Sequence, residues 1–126
     1  AILLNKLSNL DYFNKKRKKI ANIYNKLIVN KNIKLLRYSE GCVFHQYVIL
    51  TKKPKKIKDY LKKNKIPFGR HYPNTVNKLQ ATKKMFLGEK FQNAEKLSKY
   101  GTSLPINPLL KKSEINKICK IVNNFS

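Results

Sequence analysis

His71 stands between Arg70 and Tyr72 in the segment Pro67-Phe-Gly-Arg-His-Tyr-Pro73, which puts an imidazole, a guanidinium and a phenol side by side. Gly69 and Pro73 pin such a segment as a loop, and loops carried on a rigid scaffold hold a disproportionate share of binding groups. A cation, a titratable ring and a hydroxyl in a row suit a polar, anionic small molecule. Arg70, His71 and Tyr72 are therefore the candidate substrate-binding residues. No catalytic residue is assigned: the four glycines stand singly, GxSxG is absent, and the few carboxylates are too scattered for a paired-acid or Ser-His-Asp set. The other histidine, His45, alternates with apolar residues and reads as a core or half-buried ring satisfied by a backbone carbonyl. Cys42-x-x-His45 is the one close pair of potential metal ligands, whereas structural zinc sites show two such pairs, so no metal site is expected.

Charge is the most conspicuous property of the composition. Twenty-nine Lys and Arg against six Asp and Glu give +23, the footprint of a nucleic-acid binder or of a protein drawn to anionic surfaces. Its quality argues against base readout, because only Arg17, Arg37 and Arg70 are arginines. Lysine is spread over every polar face among abundant Asn and Ile, which reads as compositional drift. The 126 residues, 41% of them hydrophobic, suffice for one domain with a modest core. No apolar run reaches the roughly 18 residues needed to span a bilayer, and AILLNKLSNL lacks the features of a signal peptide. The expectation is a soluble, cytoplasmic chain without membrane partners. Cys42 and Cys119, far apart, read as small core residues and not as a redox pair.

The elements that must hold the loop follow from periodicity. Leu3, Leu7, Leu10, Asn14, Arg17, Ala21, Tyr24 and Ile28 recur at steps of three and four and predict one long amphipathic helix. No capping residue precedes Ala1, which reads as a chain beginning inside something larger. Lys34 to Tyr38 predicts a short strand, Ser39 to Gly41 a turn, and Cys42 to Leu50 the main strand, with Val43, His45, Tyr47 and Ile49 on one face. Lys55 to Lys65 predicts a helix burying Ile57, Tyr60 and Leu61, and Ile66 to Tyr72 an extended loop. A helix from Asn77 to about Phe86 is expected to bury Leu79, Thr82 and Met85 or Phe86. Asn93 and Ser113 are the expected caps of two further helices, the first ended by Gly101 and the last buried through Ile115, Ile118, Cys119, Val122 and Phe125. This order predicts an α+β fold, a small antiparallel sheet covered by helices on one face.

Four pieces in order carry a family resemblance: AILLNKLSNLDYFNKKRKKIANIYNKL, VFHQYVIL, KKNKIPFGRHYP and FQNAEKLSKYGTSLPINPLLKKSEINKI. Together they make essentially the whole chain resemble the C-terminal small domain of the DegT/StrS-type sugar-nucleotide aminotransferases, fold-type-I enzymes dependent on pyridoxal phosphate. The resemblance implies that an N-terminal large domain, absent here, holds the cofactor through its lysine, an aspartate at the pyridine nitrogen and a phosphate-binding serine. It implies amino transfer from glutamate to a keto sugar nucleotide, a homodimeric parent, and a substrate wall contributed by His71 and Tyr72, with Arg70 added on electrostatic grounds. Alone, the chain would lack the catalytic lysine and be inactive. Gln80 keeps a family position, whereas Asn77 replaces a histidine, so the sugar is left open. For Arg17 a helix-to-sheet salt bridge is expected. The alternative is a standalone basic module binding nucleic acid nonspecifically through Lys15 to Lys19 and Lys52 to Lys65.

Overall fold

The computed structural model describes the backbone of residues 2–126 and the side chains of residues 3, 4 and 6–126. Two helices open the chain, α1 (Ile2–Leu7) and α2 (Leu10–Leu27), followed by strand β1 (Lys34–Leu35) and strand β2 (Tyr47–Leu50). Helix α3 (Pro54–Lys63) leads to a long loop with two 3-10 turns, Val76–Lys78 and Lys83–Phe86. Helix α4 (Gln92–Tyr100), strand β3 (Gly101–Leu104) and helix α5 (Lys112–Asn123) complete the chain. The strands form one antiparallel sheet in the order β1-β2-β3, with Tyr47 opposite Leu104, Val48 opposite Ser103 and Ile49 opposite Thr102. This is the α+β architecture expected from the element order. No helix among the described residues is long and apolar enough to cross a membrane.

Alternation decides which face of the sheet is covered. Tyr47 and Ile49 of β2 and Thr102 and Leu104 of β3 point into the core, where Ile20, Ala21 and Tyr24 of α2, Ile57 and Leu61 of α3, and Ile115, Ile118, Cys119 and Val122 of α5 meet them. Each aliphatic side chain buried to this extent contributes about 1.5–3 kcal/mol. The tyrosines bury their rings and satisfy their hydroxyls at the margin: Tyr24 donates to the Pro105 carbonyl at 2.7 Å and Tyr47 to Asn25 Oδ1 at 2.6 Å. Burial pushes both phenols above the ordinary tyrosine range, and the Cys119 thiol up to about 11. A second device ties the ends of the fold together. Asn30 Nδ2 reaches the carbonyls of Val122, Asn123 and Phe125, while Asn123 accepts from the Val29 N–H and donates to the Leu27 carbonyl.

Several expectations are corrected. The long first helix is interrupted at Ser8 and Asn9, where the Asn9 N–H bonds back to the Lys6 carbonyl and its own carbonyl starts α2. The N-terminal half of its apolar stripe is uncovered, with Leu3 at 82% and Leu7 at 62% exposure; the expected start at Ala1 lies outside the described residues. The main strand is four residues long, because Phe44 takes a positive φ of 53° and breaks the alternation. Phe44 is thereby turned into the core against Tyr38, and His45 is exposed instead of buried. The expected helix at 77–86 is a pair of 3-10 turns. Leu79 and Met85 there are exposed, and a short helix without a packed face does not persist. Asn93 and Ser113 fall inside their helices, not at the caps. Phe91 occupies the first cap position with its ring edge-on to Phe86, and the Glu114 carboxylate accepts the Lys111 N–H at 2.8 Å in the second.

Candidate functional site

The loop carrying His71 leaves α3 through a tight reversal. Lys65 adopts φ 55°, the Ile66 N–H reaches the Leu61 carbonyl at 2.9 Å and the Lys65 N–H reaches that of Lys62 at 3.0 Å. This is the paired-bond helix ending that normally recruits glycine, completed by contact between apolar Ile66 and Leu61, both buried. The chain then runs beside β3, where Gly69 and Ser103 exchange two backbone hydrogen bonds of 3.1 and 2.8 Å. His71 folds its ring back over Gly69, and a Cβ at that position would collide with the His71 ring. His71 Nδ1 lies 2.8 Å from Ser103 Oγ. Glycine, serine and histidine thus set one another's positions.

Past this point the loop lines a cavity of about 490 Å³. Its floor is the sheet face opposite the core, represented by Val48, Gly101 and Ser103. Its walls are Leu79, Phe86, Phe91 and Leu97 from the long loop and α4, with His71, Tyr72, Asn74, Thr75, Asn77 and Gln46 as polar members. Gly101 belongs there for a packing reason: a Cβ would strike the Leu97 carbonyl where α4 turns directly into β3. Tyr72 is held at φ 57° and is 74% exposed. Pro73 is fixed by the Ser98 hydroxyl, which donates to its carbonyl at 2.7 Å. A mostly apolar concavity with a few convergent polar groups is the usual form of a small-molecule site.

The structure brings His71 and Tyr72 together at this cavity and separates Arg70 from them. Arg70 points to a neighbouring depression, where its Nη2 lies 3.4 Å from the Pro73 carbonyl. Partial burial, and then the Arg70 guanidinium, hold the nearby Lys58 amine below the ordinary lysine range. Asn77 lines the cavity and Gln80 does not. Arg17 makes no helix-to-sheet salt bridge among the described residues; its Nη1 donates to Asn14 Oδ1 at 3.1 Å, one turn away on the same helix. Ser103, Thr75, Ser98 and Phe91 were not signalled by the sequence.

Comparison with known proteins adds three findings. A family model described as the DegT/DnrJ/EryC1/StrS aminotransferase family matches residues 1–123. The dTDP-3-amino-3,6-dideoxy-alpha-D-galactopyranose transaminase of Aneurinibacillus thermoaerophilus is 32% identical over 127 residues, which are 99% of this chain and 35% of that protein. Among solved structures, a DegT DnrJ EryC1 StrS aminotransferase from Brucella abortus matches with a TM-score of 0.83 at 25% identity, over 98% of this chain and 34% of that one. S. venezuelae DesV matches in fold with a TM-score of 0.84 at 22% identity, over 97% and 34%. The chain spans about a third of the length of the relatives it matches.

Proposed function

This chain belongs to the DegT/DnrJ/EryC1/StrS aminotransferase family, and from that premise we propose that it forms the substrate-side wall of an enzyme that transfers an amino group from glutamate to a keto sugar nucleotide. The observation that carries this reading is the cavity of about 490 Å³ with His71 and Tyr72 in its lining. Its mixed surface suits a deoxy sugar, which offers C–H faces to Phe91 and Leu97 and hydroxyls to polar groups. Ser103 engages His71 Nδ1 and so leaves Nε2 as the ring nitrogen for a substrate oxygen. The exposed Tyr72 hydroxyl supplies a second contact. These residues bind and orient; neither is assigned a covalent step.

The cavity lining contains no lysine and no carboxylate. It therefore does not fit pyridoxal phosphate, which needs an amine to hold its aldehyde and an acid for its ring nitrogen. We assign the cofactor to an N-terminal large domain that would complete the enzyme. On this reading the 126-residue chain is the small domain, lacks the catalytic lysine and is inactive alone, and the complete enzyme is a cytoplasmic homodimer.

Grafting this chain in place of the matching third of the Aneurinibacillus thermoaerophilus transaminase tests the reading. The chimera is expected to aminate a keto sugar nucleotide. Loss of one substrate hydrogen bond through His71→Ala should lower kcat/KM about tenfold or more with cofactor absorbance unchanged. Undiminished turnover in both His71→Ala and Tyr72→Phe chimeras would overturn the assignment.

A further inference from the structure

Ser103 is 5% exposed, and its main chain is committed: its N–H donates to the Gly69 carbonyl at 2.8 Å and its carbonyl accepts from the Gly69 N–H at 3.1 Å. Its hydroxyl meets His71 Nδ1 at 2.8 Å and has no other hydrogen-bond partner among the described residues. The neighbours on its sheet face offer none, since Val48 stands opposite it on β2 and Gly101 lies two residues back on β3. His71 itself is exposed, its Nε2 has no partner among the described residues, and its ring lines both the cavity and a shallower hollow of about 340 Å³. The Ser103 contact can be made in two ways. If the serine O–H donates to Nδ1, the imidazole carries its own proton on Nε2, at the open edge of the ring. If Nδ1–H donates instead, the serine proton is left without an acceptor in buried, apolar surroundings, which forfeits a full hydrogen bond.

We propose that Ser103 is a positioning residue that holds His71 in its Nε2–H tautomer, so that the ring meets the sugar as a hydrogen-bond donor. The inference rests on the reading of the cavity as a sugar site and deepens it by stating what His71 selects. An Nε2–H requires an acceptor, which a hydroxyl, ring or keto oxygen supplies and an ammonium, carrying donors only, does not. The position of the sugar that His71 meets is therefore one that bears oxygen, and a sugar with a protonated amine there is rejected. The unpaired hydroxyl of the other arrangement sets the preference, about tenfold or more between the two tautomers. Gly69 belongs to the same device: a Cβ there would collide with His71 Cε1, so glycine is what lets the ring fold back far enough for Nδ1 to reach Ser103. His45 supplies the contrast within one molecule. It is exposed and has no hydrogen-bond partner among the described residues, so nothing in the fold biases its tautomer.

The test is long-range proton–nitrogen NMR of the 126-residue chain at about pH 8.5, roughly two units above the ordinary histidine value of about 6.5, where both imidazoles are neutral. Nε2 of His71 is expected to carry the proton, with that form in about tenfold or greater excess. Ser103→Ala should bring the two ring-nitrogen shifts of His71 to those of His45. Ser103→Thr, which keeps the hydroxyl, should hold them where they stand in the unaltered chain, with the amides of Ile49 and Val122 as the check that both variants fold. A protonated Nδ1 in the unaltered chain overturns the proposal, as do His71 shifts that Ser103→Ala leaves in place. In the chimera, Ser103→Ala should raise KM for the keto sugar nucleotide about fivefold or more with kcat little changed, and Ser103→Thr should restore it. The tautomer is read without substrate or turnover. A chimera that fails to aminate therefore sinks the enzymatic reading and leaves the role of Ser103 standing, whereas an unmoved tautomer sinks this inference alone.

Discussion

The two faces of the three-stranded sheet are built on opposite terms. On one, Tyr47, Ile49, Thr102 and Leu104 are sealed beneath α2, α3 and α5, and the large side chains there are at or near 0% exposure. On the other, Val48, Gly101 and Ser103 floor a cavity whose walls are short 3-10 turns and one helix, with Leu79, Phe91 and Leu97 about 40% exposed. The same strands serve both, because successive residues of a strand point to opposite sides. The covered face supplies rigidity, and the open face retains apolar surface and satisfiable polar groups for something other than the fold. Separating the two tasks by a single residue of register lets the site vary without disturbing the core.

The largest effect that would sharpen this contrast is thermodynamic. Ile49→Ala should cost about 3 kcal/mol in urea denaturation, because it leaves a cavity in a packed layer. Leu79→Ala on the other side should cost under about 0.5 kcal/mol, since little of its surface is buried to begin with. Similar costs at the two positions would mean that the second face is as much a core as the first.

A pH series probes the covered face alone. Tyr24, Tyr47 and Cys119 hold their protons more tightly folded than unfolded, so the stability they confer is complete below about pH 9, where the ordinary cysteine value of 9.0 lies. It is lost as pH rises through their raised folded values, by about 1.4 kcal/mol per pH unit for each group that titrates. The melting temperature should hold level from pH 7 to 9 and then fall. A level curve through pH 11 would mean that these groups are not sealed.

The smallest effect lies at Lys65, where the chain passes from the covered region to the open one. Its φ of 55° is unfavourable for a residue with a Cβ, so Lys65→Gly should raise stability by about 1 kcal/mol in a thermal melt. A loss of stability would show that the lysine stem contributes more by packing than the strained backbone costs.

Legibility followed the same division. Helices α2, α3 and α5 and their buried residues Ala21, Tyr24, Ile57, Leu61, Ile115, Ile118 and Val122 were readable because each buries one continuous stripe, and burial on one side imposes a period near 3.6. The region around the cavity was misread wherever the rule needs a buried partner. Residues 77–86 have helical spacing but no packed face, and the alternation through Val43 and His45 failed at the single positive φ of Phe44. The family resemblance drew attention to His71 and Tyr72. It could not foresee Ser103 and Thr75, because Ser103 meets His71 across 32 residues of sequence through a strand pairing and Thr75 lies on a loop without periodic order.

By itself, then, the order of residues determined the helical stripes, the presence of a short antiparallel sheet, the extended loop ahead of Pro73 and the excess of positive charge, since each is a local or summed property of the chain. Tertiary structure decided which sheet face would stay open, that Arg70 would part from His71 and Tyr72, and that Ser103 would meet His71. Those outcomes depend on how distant segments pack against one another, and no period along a sequence records the distance between residues that meet only after folding.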